Sequence, residues 1–97
     1  MKHAMKDHIT MYEPEPARFA TRRYTSAEKQ KLLQYMRSFE FFAVAGLIYD
    51  CVKGNCLREE NLGYTDGEYS WSSQDIYHIE QYDAAVTAAF FVKAAMS

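Results

Sequence analysis

Phe41-Phe42-Ala43-Val44-Ala45-Gly46-Leu47-Ile48-Tyr49-Asp50 is an apolar, partly β-branched run that meets the turn residues Lys53-Gly54-Asn55. A short apolar run closed by turn residues reads as a strand, here from about Ala43 to Cys51. Gly46 inside it points to a bend, a bulge or the close approach of another backbone. With Gly54 available for a positive φ, the turn at 50–55 returns the chain as Cys56-Leu57-Arg58-Glu59 in an antiparallel hairpin. Gly63 and Thr65-Asp66-Gly67 mark a further turn, and Glu68-Tyr69-Ser70-Trp71 then alternates polar with aromatic side chains, the period of a half-buried strand. A hairpin or three-stranded meander follows, with 61–66 as its most exposed connection.

Helices flank this sheet on both sides in sequence. Thr25-Ser26-Ala27-Glu28 is a capping box, and Leu32, Leu33, Met36 and Phe39 follow on one stripe, so an amphipathic helix of about four turns starts at Thr25. Ser72-Ser73-Gln74-Asp75 is a second capping signature, and Ile76, Ile79 and Tyr82 continue its helical stripe. The alanine-rich end to Met96 favours either one unbroken helix or, with Asp83 and Thr87 as stop and restart positions, a short last helix anchored by Phe90 and Phe91. Before Thr25, Glu13-Pro14-Glu15-Pro16 blocks helix, so 1–20 reads as a flexible arm and 21–97 as the domain. The expected fold is a single small α+β domain.

Composition narrows the function classes. A chain of 97 residues that is 48% hydrophobic and 25% charged holds one core and is too apolar for general disorder. No apolar stretch approaches the ~18–20 residues that cross a bilayer. Lys2 and Lys6 precede no apolar segment of signal-peptide type, which makes the cytoplasm the expected compartment. Eleven Lys and Arg against 13 Asp and Glu disfavour nucleic acid, which selects a basic field, although Arg18, Arg22 and Arg23 interleave with Phe19 and Tyr24. Cys51 and Cys56 flank the hairpin turn and either stay reduced or face each other across it. With His3, His8 and His78 they complete no metal site at a familiar spacing, and no cofactor is implied. Of the 15% aromatic residues, five of the six Phe and Trp71 read as core.

Two clusters are candidates for chemistry. Asp75, His78 and Tyr82 lie along one helical face, where Asp75 would orient an imidazole base. No nucleophile accompanies them, so a partly buried His78 satisfied by a neighbouring carboxylate or Tyr hydroxyl is the favoured reading and a small enzyme or ligand-binding domain the alternative. Tyr64, Asp66, Glu68, Tyr69 and Trp71 interleave acids with aromatics around a turn, and Glu59 and Glu60 extend the acidic stretch. Tyrosine supplies rigid interface area and acids steer a basic partner, so Glu59, Glu60, Tyr64, Asp66 and Glu68 form the expected partner-binding surface. Replacing Asp66 and Glu68 by Lys is then expected to weaken capture and leave stability nearly unchanged. A homodimer through the hairpin edge or through Phe90 and Phe91 is the structural alternative.

From Leu32 to Phe90 the order Tyr49-Asp50-x-x-x-Gly54, Asp66-Gly67-Glu68-Tyr69-x-Trp71, Tyr77-x-x-x-x-Tyr82, Phe90 resembles that of small bacterial α+β proteins of unknown function, often found beside mobile elements or toxin systems. Similar sequences often carry proline at the position of Thr87, which implies a break between two C-terminal helices. Short proteins of this sort include immunity proteins and phage-encoded inhibitors of host defence. The resemblance therefore implies a non-enzymatic binding protein that neutralises or regulates one protein partner.

Overall fold

The computed structural model describes residues 1–7, 9 and 19–97; His8, the Glu13-Pro14-Glu15-Pro16 run and Arg18 lie outside them. Strand β1 (Lys2–His3) is followed by α1 (Ser26–Arg37), β2 (Ala43–Asp50), β3 (Asn55–Thr65), β4 (Tyr69–Ser72), α2 (Ser73–Tyr82) and α3 (Ala88–Ala95). The sheet order is β1-β4-β3-β2, with β1 parallel to β4 and the other pairs antiparallel. This is the expected α+β architecture, and no helix among the described residues is long and apolar enough to cross a membrane.

Local chemistry sets the helix ends. The Thr25 hydroxyl accepts from the Glu28 N–H at 3.1 Å while the Glu28 carboxylate accepts from the Thr25 N–H at 2.9 Å. Ser72 and Asp75 repeat the capping box on α2. Asp83 adopts a left-handed φ of 57° that stops α2, and Thr87 caps α3, so of the two open readings the chain takes the broken one, with two C-terminal helices.

The hairpin is antiparallel but irregular. Val44 to Leu47 opposes Leu62 to Glu60, one residue more on β2, and Gly46 takes it up at φ 85°. Leu47 to Tyr49 opposes Glu60 to Cys56, with the excess on β3, where Arg58 sits at φ 59°. These are β-bulges, which bend the strand and raise its twist. Cys56 lies opposite Tyr49 rather than Cys51, and both cysteines are free thiols, Cys51 buried and Cys56 exposed.

Three sequence expectations are corrected. The described start of the chain is not a free arm: Lys2 and His3 pair with Tyr69 and Ser70, and Ala4 and Met5 are buried. The Ala4 carbonyl accepts from the Thr87 N–H at 2.8 Å, and the Ala85 N–H donates to the Ala20 carbonyl at 2.8 Å. The link between α2 and α3 thus lies extended between two N-terminal segments, a pairing of residues too distant in sequence to leave a local signal. Second, 61–65 is not an exposed connection but the end of β3, and Asn61 is buried. Third, of six Phe only Phe90 is fully buried; Phe19, Phe39 and Phe91 pack half-buried on the core, while Phe41 and Phe42 are exposed. The core joins Leu32, Leu33 and Met36 of α1 to Trp71, Ile79 and Phe90, with the Trp71 indole N–H donating to the Met36 carbonyl at 3.1 Å.

Candidate functional site

His78 is fully buried and already engaged. Its Nδ1 lies 2.7 Å from the Gln74 carbonyl, which only accepts, so Nδ1 carries the proton; Nε2 then accepts the Cys51 N–H at 3.1 Å. Burial pushes the imidazole below its ordinary range and keeps it neutral. Phe19, Tyr77 and Tyr82 enclose the ring at 5.3–5.9 Å. The Asp75 carboxylate takes the Ser72 N–H and hydroxyl at the helix start. Asp75 is therefore not the orienter of His78, and the satisfying partners are backbone groups rather than a carboxylate or a Tyr hydroxyl. The expected triad is divided between a cap, a core imidazole and a third site.

That third site is centred on Asp50, which sequence reasoning passed over. Its side chain is fully buried in the turn closing β2. Oδ1 accepts the N–H groups of Val52 and Lys53 at 2.9 and 2.7 Å, and Oδ2 accepts the hydroxyls of Tyr77 and Tyr82, both at 2.6 Å. Burial alone would raise the carboxyl, but these four donors outweigh it and hold it down to about 2. The same carboxylate raises both tyrosines. Beside it, Gln74 accepts the Tyr49 N–H at 2.9 Å and donates to the Cys51 thiol at 3.5 Å. A seam of buried polar groups thus fastens α2 to the end of the hairpin. Among the described residues no buried side-chain nitrogen or oxygen is left without a hydrogen-bond partner, which favours a structural role for the seam.

The expected partner surface is also divided. The Asp66 carboxylate is only 2% exposed: it accepts from the Tyr35 hydroxyl at 2.7 Å, from the N–H groups of Glu68 and Tyr69, and pairs with Lys93 at 3.0 Å. Burial opposes its ionisation, but those donors bring it well below the usual carboxylate range, while burial and Asp66 together push the Tyr35 hydroxyl up to about 12. Asp66 is therefore withdrawn from any docking surface. Glu68 is exposed but shared between Lys2 and Lys93. Tyr64, half-buried, and Glu59 line a shallow cavity of about 220 Å³ with Ile48, Ile76, Tyr77 and Glu80. Glu60 sits directly opposite Leu47 on the hairpin. Of the basic segment, Arg22 is docked: it stacks on the Phe91 ring at 3.8 Å and pairs with Glu28.

What the hairpin leaves open is apolar. Phe41, Phe42, Val44 and Leu47 are 55%, 63%, 56% and 41% exposed, and Phe42 lies across Gly63. Among the described residues β2 is paired on one side only, by β3. A groove of about 630 Å³ runs beside it, lined by His3, Phe42, Ala45, Asn61, Ser70 and Ser72. The one sequence signal for this surface was the absence of charge from Phe41 to Tyr49, which reads equally as a strand buried on both faces. Among the described residues no group of three or more His, Cys, Asp and Glu is placed to hold a metal ion. Comparison with models of protein families, with characterised proteins and with solved structures finds no match.

Proposed function

We propose that this chain is a non-catalytic binding protein that neutralises or regulates a protein partner in the cytoplasm, as immunity proteins and phage-type inhibitors do. The observation that carries the reading is the hairpin surface, where four large apolar side chains stand open within seven residues. Large contiguous apolar patches on small domains mark interaction sites. Phe42 and Leu47 supply the apolar centre, and Glu59 and Glu60, which make no ion pair among the described residues, supply the acidic rim that favours a basic partner. This moves the partner surface from Asp66 and Glu68 to the hairpin while keeping Glu59 and Glu60. Support for a non-catalytic role comes from His78 and Asp50, whose hydrogen-bonding atoms are all occupied by the chain itself.

The test is capture from host lysate by the tagged chain, followed by calorimetry with the purified captured protein. Phe42→Ser with Leu47→Ser is expected to abolish binding with little change in melting temperature, and Glu59→Lys with Glu60→Lys to weaken it. Undiminished binding by both variants overturns the assignment.

A further inference from the structure

We propose that the β2 edge pairs antiparallel with the β2 edge of a second copy, giving a two-fold dimer with a continuous eight-stranded sheet. Natural monomers blunt a sheet edge with charged side chains, prolines, β-bulges or very short strands. The two edges of this sheet differ sharply in that respect. β1 is two residues long and begins with a lysine, whereas Phe41 to Leu47 runs seven residues, all exposed and none charged, with the Gly46 bulge as its one such device. Head-to-tail addition of β2 onto another copy's β1 would match only two residues. An isologous β2–β2 pairing matches a long edge with a long edge and leaves only the short β1 edges outside, so assembly stops at two.

Charge supports the same arrangement. Glu40 precedes β2, while Lys53 and Arg58 stand at and beside the hairpin tip beyond its other end; all three are exposed and make no side-chain ion pair among the described residues. By contrast Arg22, Lys29, Arg37 and Lys93 each reach a carboxylate. An antiparallel two-fold brings the acidic end of each strand toward the basic tip of the other, twice per dimer. Placing Glu40 opposite Lys53 of the other copy puts the two-fold axis between Gly46 and Leu47, and Val44, opposite Leu62 on β3, then lies inside the paired edge on the Glu40 side of that axis. One strand edge with these side chains makes a small interface, under about 1,200 Å² in total, so the dimer dissociates on dilution.

The experiment is sedimentation with light scattering over a concentration series of the full chain. The expected mass approaches twice 11.3 kDa at high concentration. Val44→Lys is expected to give the monomer mass throughout, with circular dichroism showing an unchanged fold. Glu40→Lys alone and Lys53→Glu alone should each raise the dissociation constant about tenfold, the factor that corresponds to 1.4 kcal/mol. Combining the two restores the opposite-sign pairing and the wild-type constant. A wild-type chain that stays monomeric to its solubility limit, or a Val44→Lys dimer as tight as wild type, overturns the proposal. So does a charge swap that fails to restore what the single variants lost. The proposed function fails separately: a monomer that still binds its partner through Phe42 and Leu47 removes the dimer alone, and a dimer with no hairpin-dependent partner removes that function alone.

Discussion

The Tyr77 hydroxyl donates to the Asp50 carboxylate at 2.6 Å, joining the middle of α2 to the turn that ends β2. The Tyr82 hydroxyl meets the same oxygen at the same distance. Hydrogen bonds to a charged group contribute about 1.5–3 kcal/mol, so Tyr77→Phe and Tyr82→Phe should each lower unfolding free energy by that amount in urea titrations. The double variant should depart from additivity, because both hydroxyls share one acceptor. Asp50 is held at about 2 against an ordinary 3.8, so its contribution is complete above that ordinary value and is lost as the pH falls toward 2. Asp50→Asn should remove that segment of the acid-unfolding curve; an unchanged curve counts against the seam.

Asp66 and Glu68 are two residues apart and should behave differently. Hydrogen bonds to a charged group contribute about 1.5–3 kcal/mol each, and Asp66→Asn removes the buried charge that accepts from the Tyr35 hydroxyl and the N–H groups of Glu68 and Tyr69, while Lys93 keeps Glu68. Glu68 is half-exposed, and Glu68→Gln should cost under about 1 kcal/mol. Thermal melts of the two variants check this. Equal losses would return Asp66 to the surface and restore it as a candidate for partner contact.

Stability should fall as the medium is acidified below about pH 6.5, the ordinary histidine value. His78 is buried neutral with its pKa lowered, so the unfolded chain binds this proton first and folding loses free energy as pH drops. One site limits the slope to about 1.4 kcal/mol per pH unit. Chemical denaturation at pH 7.5, 6.5 and 5.5, compared with a His78→Gln variant that lacks this component, measures it. A parallel pH dependence in the two proteins would show that His78 is not the group responsible.

Phe90 and Phe91 are adjacent but unlike. Phe90 is fully buried between Trp71, Tyr69 and Tyr35, with ring centroids 5.2–5.8 Å away. Phe90→Ala should cost about 3–5 kcal/mol. Phe91 is half-buried beneath the Arg22 guanidinium, and losing that cation–π contact costs about 1 kcal/mol. Phe90 therefore cannot serve as the dimer contact that its apolar character suggested, and size measurements on Phe91→Ala should match wild type.

Residues that act on near neighbours were legible in the sequence. Thr25 with Glu28, Ser72 with Asp75, Asp83 with Ile79, and Thr87 with Phe90 set helix ends through groups three or four positions apart, so composition and spacing carry the information. The hairpin turn and the outline of β2 follow for the same reason. His78 was legible as a satisfied core residue once no nucleophile stood near it, though not the backbone groups that satisfy it.

Tertiary structure decided the rest. β1 has two residues, too few for any alternation, and exists because β4 offers it a backbone edge. Asp50 and Tyr82 are 32 positions apart, and Tyr35 and Asp66 are 31 apart; either acid looks solvated until α1, α2 and the sheet close over it. Phe41, Phe42, Val44 and Leu47 have the composition of a core, yet they stand open because sheet order puts β2 at the edge. Hydrophobicity along a chain reports how much surface a segment would gain by being covered. Which segments are covered depends on the packing of elements far apart in sequence, and here that packing leaves the most apolar strand as the exposed one.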